Sequence, residues 1–259
     1  MTSFPILSVL NNKALLLEFA ILNIKVRYKG THLGFLWTAI EPLLIFVLLY
    51  VVFTSIRLGD KENFAIYLLS GIVLYHIFSR GTMSGMTSLR INTGIIKSIN
   101  LKREFFPTAS TLSTTLLAIV EIGVLLSLMP VFQFSPTLTI LLVPLPFILL
   151  LIFILGLSYL LSIINIYLKD IQTIWAIIVQ TLLFTSPIFW YLSDVDELLH
   201  IIQSINPVGQ IIELNHQIVV FGQIPPLSDW LYTTVFVFAT LFLGFGIFKK
   251  FEKKISEEL

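Results

Sequence analysis

The chain has 259 residues, of which 56% are hydrophobic and 12% charged, and its formal net charge is +1. A soluble domain carries about 25% charged residues; here the apolar residues come in blocks of about 20, the length that crosses a hydrocarbon core of about 30 Å. An ordinary soluble globule is therefore excluded. The near-zero net charge gives no sign of a nucleic-acid partner, and the absence of cysteine excludes disulfides, a thiol nucleophile and cysteine metal sites.

The residues specify an all-α, polytopic membrane protein forming one transmembrane domain over residues 1–259. Residues 1–12 read as a short lead-in without the apolar core and cleavage site of a signal peptide. Residues 13–29 place Lys13, Glu18, Lys25, Arg27 and Lys29 among leucines and isoleucines. That pattern predicts an amphipathic helix along the cytoplasmic interface, its basic groups toward lipid headgroups or a partner.

Six spans follow, at about 35–56, 64–83, 107–129, 138–167, 171–191 and 230–248. Pro107 suits the first turn of the third span, where a missing N–H is harmless. The fourth run is long enough to need tilt, or a kink at Pro144 and Pro146. Lys13, Lys25, Arg27, Lys29, Arg90, Lys97, Lys102, Arg103, Lys169, Lys249, Lys250, Lys253 and Lys254 all fall on one side, against Arg57 and Lys61 on the other. Arg80 lies near the inner end of the second span. The positive-inside rule then places both termini in the cytoplasm.

Between spans five and six, residues 192–228 contain no Lys or Arg yet are strongly apolar. They read as two short helices, Asp194 to Ile205 and Val208 to Val220, joined at Asn206-Pro207. Asp194 and Glu197 have the spacing of a capping box. Each helix is about half the length of a span, so the pair is expected to be re-entrant or interfacial and could lid an exit path.

Residues 88–106, with Arg90, Lys97, Lys102, Arg103 and Glu104 beside Ile95, Ile96 and Ile99, form a polar loop suited to a protein groove or to anionic lipid. Glu41 and Glu121 lie on spans, where ionisable groups are costly and by default functional candidates. Glu41 has Pro42 as neighbour and could cap a kink there, or pair with Arg80 or Lys29; structural pairing or gating is the expectation for both carboxylates. Two Glu-x-x-His pairs, Glu197 with His200 and Glu213 with His216, have the spacing of di-iron ligands. Polar faces of two interfacial helices explain them better, and no metal is expected. Trp37, Trp190, Tyr191 and Trp230 fit an interfacial belt. Phe46, Tyr50 and Phe53 make one stripe, fit for helix packing or for stacking against sugars; Phe184 and Trp190 lie on the fifth span. Gly94 to Ser98 lacks the leading half of a P-loop, so any ATP hydrolysis belongs to another chain. No residue is assigned to catalysis.

Lys25 to Leu44, KVRYKGTHLGFLWTAIEPLL, resembles the first-span signature of polysaccharide-export permeases, the membrane subunits of type-2 ABC exporters: Arg27-Tyr28-Lys29, Gly30, Leu33-Gly34, Leu36-Trp37 and Pro42. Ser186 to Val195, SPIFWYLSDV, and Ile205 to Glu213, INPVGQIIE, resemble the same group. Glu41 departs from the small or neutral residue usual before the proline. The resemblance covers essentially the whole chain. It implies a homodimer in the cytoplasmic membrane, clamped by two copies of an ATP-binding subunit that holds ATP and magnesium, with no cofactor on this chain. The substrate would be a lipid-linked glycan such as O-antigen or teichoic acid.

On that resemblance Lys25, Arg27, Lys29, Arg90, Lys97, Lys102, Arg103 and Glu104 would meet the ATPase. Phe46, Tyr50, Phe53, Phe184 and Trp190 would line the translocation path, and Glu41, Pro42, Asn206 and Pro207 would form kinks or gates. The alternatives are a type-2 permease for a lipid or drug, a proton-coupled secondary carrier, and an intramembrane transferase.

Overall fold

The computed structural model describes residues 13–55, 61–98 and 101–252. Ile56, which ends the first predicted span, and Arg57, Lys253 and Lys254 of the charge argument lie outside the described residues. Every regular element among the described residues is helical. Helix α1, Lys13–Arg27, leads through a turn and the 3-10 segment Gly34–Leu36 into α2, Trp37–Ser55. The chain continues through α3, Phe64–Ile91, the short α4, Thr93–Ser98, and α5, Phe105–Leu128. After the 3-10 turn Leu138–Leu142 come α6, Pro144–Tyr167, and α7, Ile171–Thr185. A further 3-10 turn, Leu192–Asp194, precedes α8, Glu197–Ile205, then α9, Pro207–Val219, and α10, Leu227–Phe251.

Among the described residues, five helical stretches are long and apolar enough to cross a membrane: residues 34–55, 64–91, 105–128, 138–167 and 227–251. The predicted fifth span, 171–191, is cut short. Helix α7 ends at Thr185 because Pro187 excludes the helical region for the residue before it, and Ser186 is extended at φ −92°, ψ 148°. Conversely α3 runs past the predicted end at Met83. Thr87 Oγ1 donates to the Met83 carbonyl (3.1 Å) and Ser88 Oγ to that of Gly85 (2.7 Å), so these polar residues stay helical. The first residues of the predicted 88–106 loop are thus the last turn of α3.

Helix α3 is the central post. It packs on α2, α5, α6, α7 and α9, while α6 packs along α10. Small residues set the close approaches: a Cβ on Gly85 would fall on Ser158 of α6, and one on Gly156 would meet the Leu241 backbone of α10 at 2.8 Å. One large apolar cluster fills the space between the spans, around Leu68, Leu74, Phe78, Leu150 and Ile154. A second, smaller one joins α1 to the adjacent ends of α3, α5, α6 and α10 through Leu16, Leu89, Phe105, Phe106, Tyr159 and Phe248.

Candidate functional site

The turn between α1 and α2 is built by its sequence. Gly30 (φ +82°) and Gly34 (φ +51°) adopt left-handed backbone, where a Cβ would be strained although open space surrounds it. Tyr28 Oη and Thr38 Oγ1 are hydrogen-bonded at 2.7 Å, and the Tyr28 ring meets Phe35 edge-on at 6.2 Å. These contacts tie the basic end of α1 to the first turn of α2. Helix α1 in turn lies against α5: Ser113 Oγ donates to the Ala20 carbonyl (3.0 Å), and Phe19 meets Phe105 and Phe106 edge-on. Lys25, Lys29, Lys97 and Lys102 are exposed, and Arg90 and Arg103 half-buried. Arg27 lines a cavity of about 420 Å³ between α1, α3, α4 and α5.

Glu104, expected to meet a partner, is instead 1% exposed and ion-paired with Lys249 on α10. Lys249 also pairs with Glu252 at 2.9 Å. The residue anchors the loop to the last span, and burial removes it from any docking surface.

The two intramembrane carboxylates meet around a residue that the sequence reading did not single out. His76 of α3 contacts Glu121 of α5 through Nδ1 (3.0 Å) and Glu41 of α2 through Nε2 (3.4 Å). Glu121, with no exposed surface, also ion-pairs with Arg80, one turn from His76. The expected partners of Glu41, Arg80 or Lys29, are thus replaced by His76. The only signal for it was its i, i+4 spacing to Arg80, which places an imidazole and a guanidinium on one face of a span. Arg80 Nε and Nη2 are buried without a hydrogen-bond partner among the described residues. Pro42 sits inside α2 and is buried.

The aromatic stripe is used for packing. Phe46 stacks on Tyr50 at 5.5 Å, and both meet Phe132 edge-on. Phe53 stacks on Phe189 at 5.4 Å. Phe46 is buried by these contacts, whereas Tyr50 and Phe53 are half-buried, Tyr50 lining a small cavity with Lys61, Asn63 and Phe132; Phe184 is 61% exposed. Trp190 is half-buried, its Nε1 donating to the Phe184 carbonyl at 3.4 Å.

At the opposite end of α3 from α1, the α8–α9 pair is jointed where the sequence places it. The Asn206 side chain accepts from the Val208 and Gly209 backbone N–H groups, each at 3.1 Å, with Pro207 at the first helical position. The predicted capping box is replaced: α8 starts at Glu197 after Asp196, while Asp194 ion-pairs with Lys61. The hydrogen bond from Lys61 holds the Asp194 carboxyl below the usual carboxylate range. Neither Glu-x-x-His pair converges. Glu197 and His200 are exposed, whereas His216 is fully buried, its ring stacked on Tyr67 at 3.8 Å, and Glu213 accepts from Gln217. No group of three or more potential metal ligands occurs among the described residues.

Residues 19–220 match the family model described as "ABC-2 type transporter". The chain is 24% identical over 260 residues to the O-antigen export system permease protein RfbA of Klebsiella pneumoniae, covering 99% of this chain and 95% of that protein. It is 24% identical over 185 residues to RfbA of Myxococcus xanthus, covering 71% of each. A third relative, the polysialic acid transport protein KpsM of Escherichia coli, is 24% identical over 233 residues, 89% of this chain and 90% of that one.

Proposed function

The chain belongs to the ABC-2 type transporter family, and from that premise we propose that it is the membrane-spanning permease of an ATP-driven polysaccharide exporter. It resides in the cytoplasmic membrane and moves a lipid-linked glycan outward. The observation that carries this reading is the likeness to an O-antigen export permease and a polysialic acid transport protein, 99% and 89% of the chain being covered. By name the first relative exports O-antigen and the other transports polysialic acid, and the shared feature is a glycan rather than one sugar.

The chain works as a dimer with two copies of an ATP-binding subunit that supplies ATP and magnesium, since no P-loop occurs in this sequence. On α2, Leu44, Val47, Leu48 and Val51 are exposed opposite the packed stripe, an apolar face that a second copy or lipid would cover. The ATPase docks on Lys25, Arg27, Lys29, Lys97 and Lys102, with the half-buried Arg90 and Arg103 behind them. Its motion enters through α1. The glycine turn and the Tyr28–Thr38 bond pass it to α2, and the small apolar cluster passes it to the ends of α3, α5, α6 and α10. With six crossings and both termini inside, α8 and α9 stand at the outer face as a gate hinged at Asn206-Pro207.

Reconstitution with the ATP-binding subunit tests the reading. Lipid-linked glycan should stimulate ATP hydrolysis and appear in the outer leaflet only with ATP. The double substitution Arg27→Ala with Lys29→Ala should reduce both by about tenfold or more, the scale of a few lost interfacial charge contacts, with membrane insertion unchanged. Stimulation by a lipid or drug but by no glycan would transfer the protein to another branch of the family.

A further inference from the structure

A second polar cavity lies at the far end of α3 from α1, the end that the export reading places outside. It has a volume of about 500 Å³, within the range of about 300–1,000 Å³ typical of small-molecule sites. Tyr67 and Tyr191, stacked at 4.2 Å, form its floor. Its walls are Glu213 and Gln217 of α9 and the turn that follows this helix, which brings in Phe221 and Gln223.

The sequence folds this wall deliberately. Glu213, Gln217 and Phe221 recur at i, i+4, i+8, so one side of α9 and its extension carries all three. Gly222, at φ +62°, turns the chain back sharply, and a Cβ there would meet Thr137 Oγ1 at 2.9 Å. The reversal is closed by hydrogen bonds from Phe221 N to the His216 carbonyl (3.1 Å) and from Gln223 N to the Gln217 carbonyl (2.8 Å). The result places a second amide at the cavity mouth.

Glu213 is 9% exposed, yet only one of its carboxylate oxygens is used: Oε1 accepts from Gln217 Nε2 at 3.1 Å. The other has no hydrogen-bond partner among the described residues. That single bond also orients Gln217, because its N–H₂ is engaged on the carboxylate and its carbonyl is left to accept. Phe221, 44% exposed, stands 6.0 Å from Tyr191 and offers an apolar ring beside these planar polar groups.

A half-engaged carboxylate, two amides and an uncovered aromatic ring are what a sugar ring requires. Vicinal hydroxyls donate to carboxylate and amide oxygens, and the axial C–H face rests on the electron-rich ring face. A metal ion is a poor fit, with no third acidic or imidazole ligand nearby among the described residues. An anionic sugar or phosphate is opposed by Glu213, since Lys61, the nearby cation, is already paired with Asp194 and lies over the Tyr191 ring. The geometry points to a binding site for one neutral hexose or N-acetylhexosamine unit at the outer mouth, behind the α9 helix. The choice of a saccharide rests on the export reading; the site itself rests on the cavity.

Saturation-transfer NMR on the full-length protein in nanodiscs, without ATP, tests it with methyl glycosides of glucose, galactose, mannose, N-acetylglucosamine and sialic acid. At least one neutral glycoside should bind and the sialoside should not. Glu213→Gln should weaken binding about tenfold, the scale of one charge-assisted hydrogen bond lost. Phe221→Ala and the exposed-residue change Gln223→Ala should weaken it too. No neutral glycoside bound, or equal binding in all three variants, overturns the site. So does a loss confined to Glu213→Gln, which marks a structural carboxylate. Because binding is read without nucleotide, ATP-driven export with no glycoside bound would sink this site alone, and glycoside binding without export would sink the export reading alone.

Discussion

Glu121 is completely buried and carries two partners, Arg80 and His76, with Glu41 joined through the same imidazole. A buried ion pair is weak evidence for added stability, because desolvation of both charges offsets most of their attraction, but removing one partner strands the other. Glu121→Gln should therefore lower stability by about 3–5 kcal/mol. The double change Glu121→Leu with Arg80→Met should recover most of the loss by taking both charges out of the protein. Thermal unfolding in detergent reads both, and equal melting of the wild type and Glu121→Gln would show the cluster to be hydrated and unneeded for the fold. The carboxylates were legible in the sequence because charge inside an apolar block is conspicuous. Their histidine partner was not: a single imidazole among hydrophobic residues carries no information about a helix 45 residues away. The same holds for Glu104, whose place in a basic stretch suggested a surface while Lys249 holds it inside.

Among the elements, the apolar blocks located the helices, and local backbone chemistry set their ends. Pro187 was visible, and its effect on Ser186 shortens α7 in a way that hydropathy cannot register. Hydroxyls that fold back on their own helix lengthened α3 into what composition alone reads as loop. The Asn206-Pro207 joint was readable because cap and first-turn proline are adjacent in the chain. Helix contacts were not, because they depend on which glycine faces which neighbour. Gly85 and Gly156 sit where α3, α6 and α10 touch, whereas no atom of the described residues lies within 4 Å of a Cβ placed on Gly123. Gly156→Leu should force α6 from the α10 backbone, and Gly85→Leu should force α3 from Ser158. Both should abolish a monodisperse peak in size-exclusion chromatography. Gly123→Leu should elute as wild type. If all three behaved alike, close glycine packing would not be what holds these helices together.

For the whole molecule, the decisive element is α7. Its 15 residues give about 22 Å of helix, short of a hydrocarbon core of about 30 Å. In a six-crossing chain the extended residues after Thr185 would supply the remaining depth, which they could do only where protein satisfies their backbone groups. That condition is met on one side: Ser186 N donates to the Leu182 carbonyl (3.0 Å), Tyr67 Oη donates to the Trp190 carbonyl (2.7 Å), and residues 186–189 are buried. A six-crossing chain would place Glu62 and Ser228 outside and Lys102 and Lys169 inside. If α7 returned to the side it started from, Ser228 would change sides while Glu62 stayed outside. The chain has no cysteine of its own, so single substitutions Glu62→Cys, Lys102→Cys, Lys169→Cys and Ser228→Cys can be labelled without background. An impermeant maleimide applied to intact spheroplasts should modify the cysteines at 62 and 228, and those at 102 and 169 only after permeabilisation. Labelling of the Ser228→Cys variant only after permeabilisation would leave five crossings, put the carboxyl terminus outside, and place the α8–α9 pair at the cytoplasmic face.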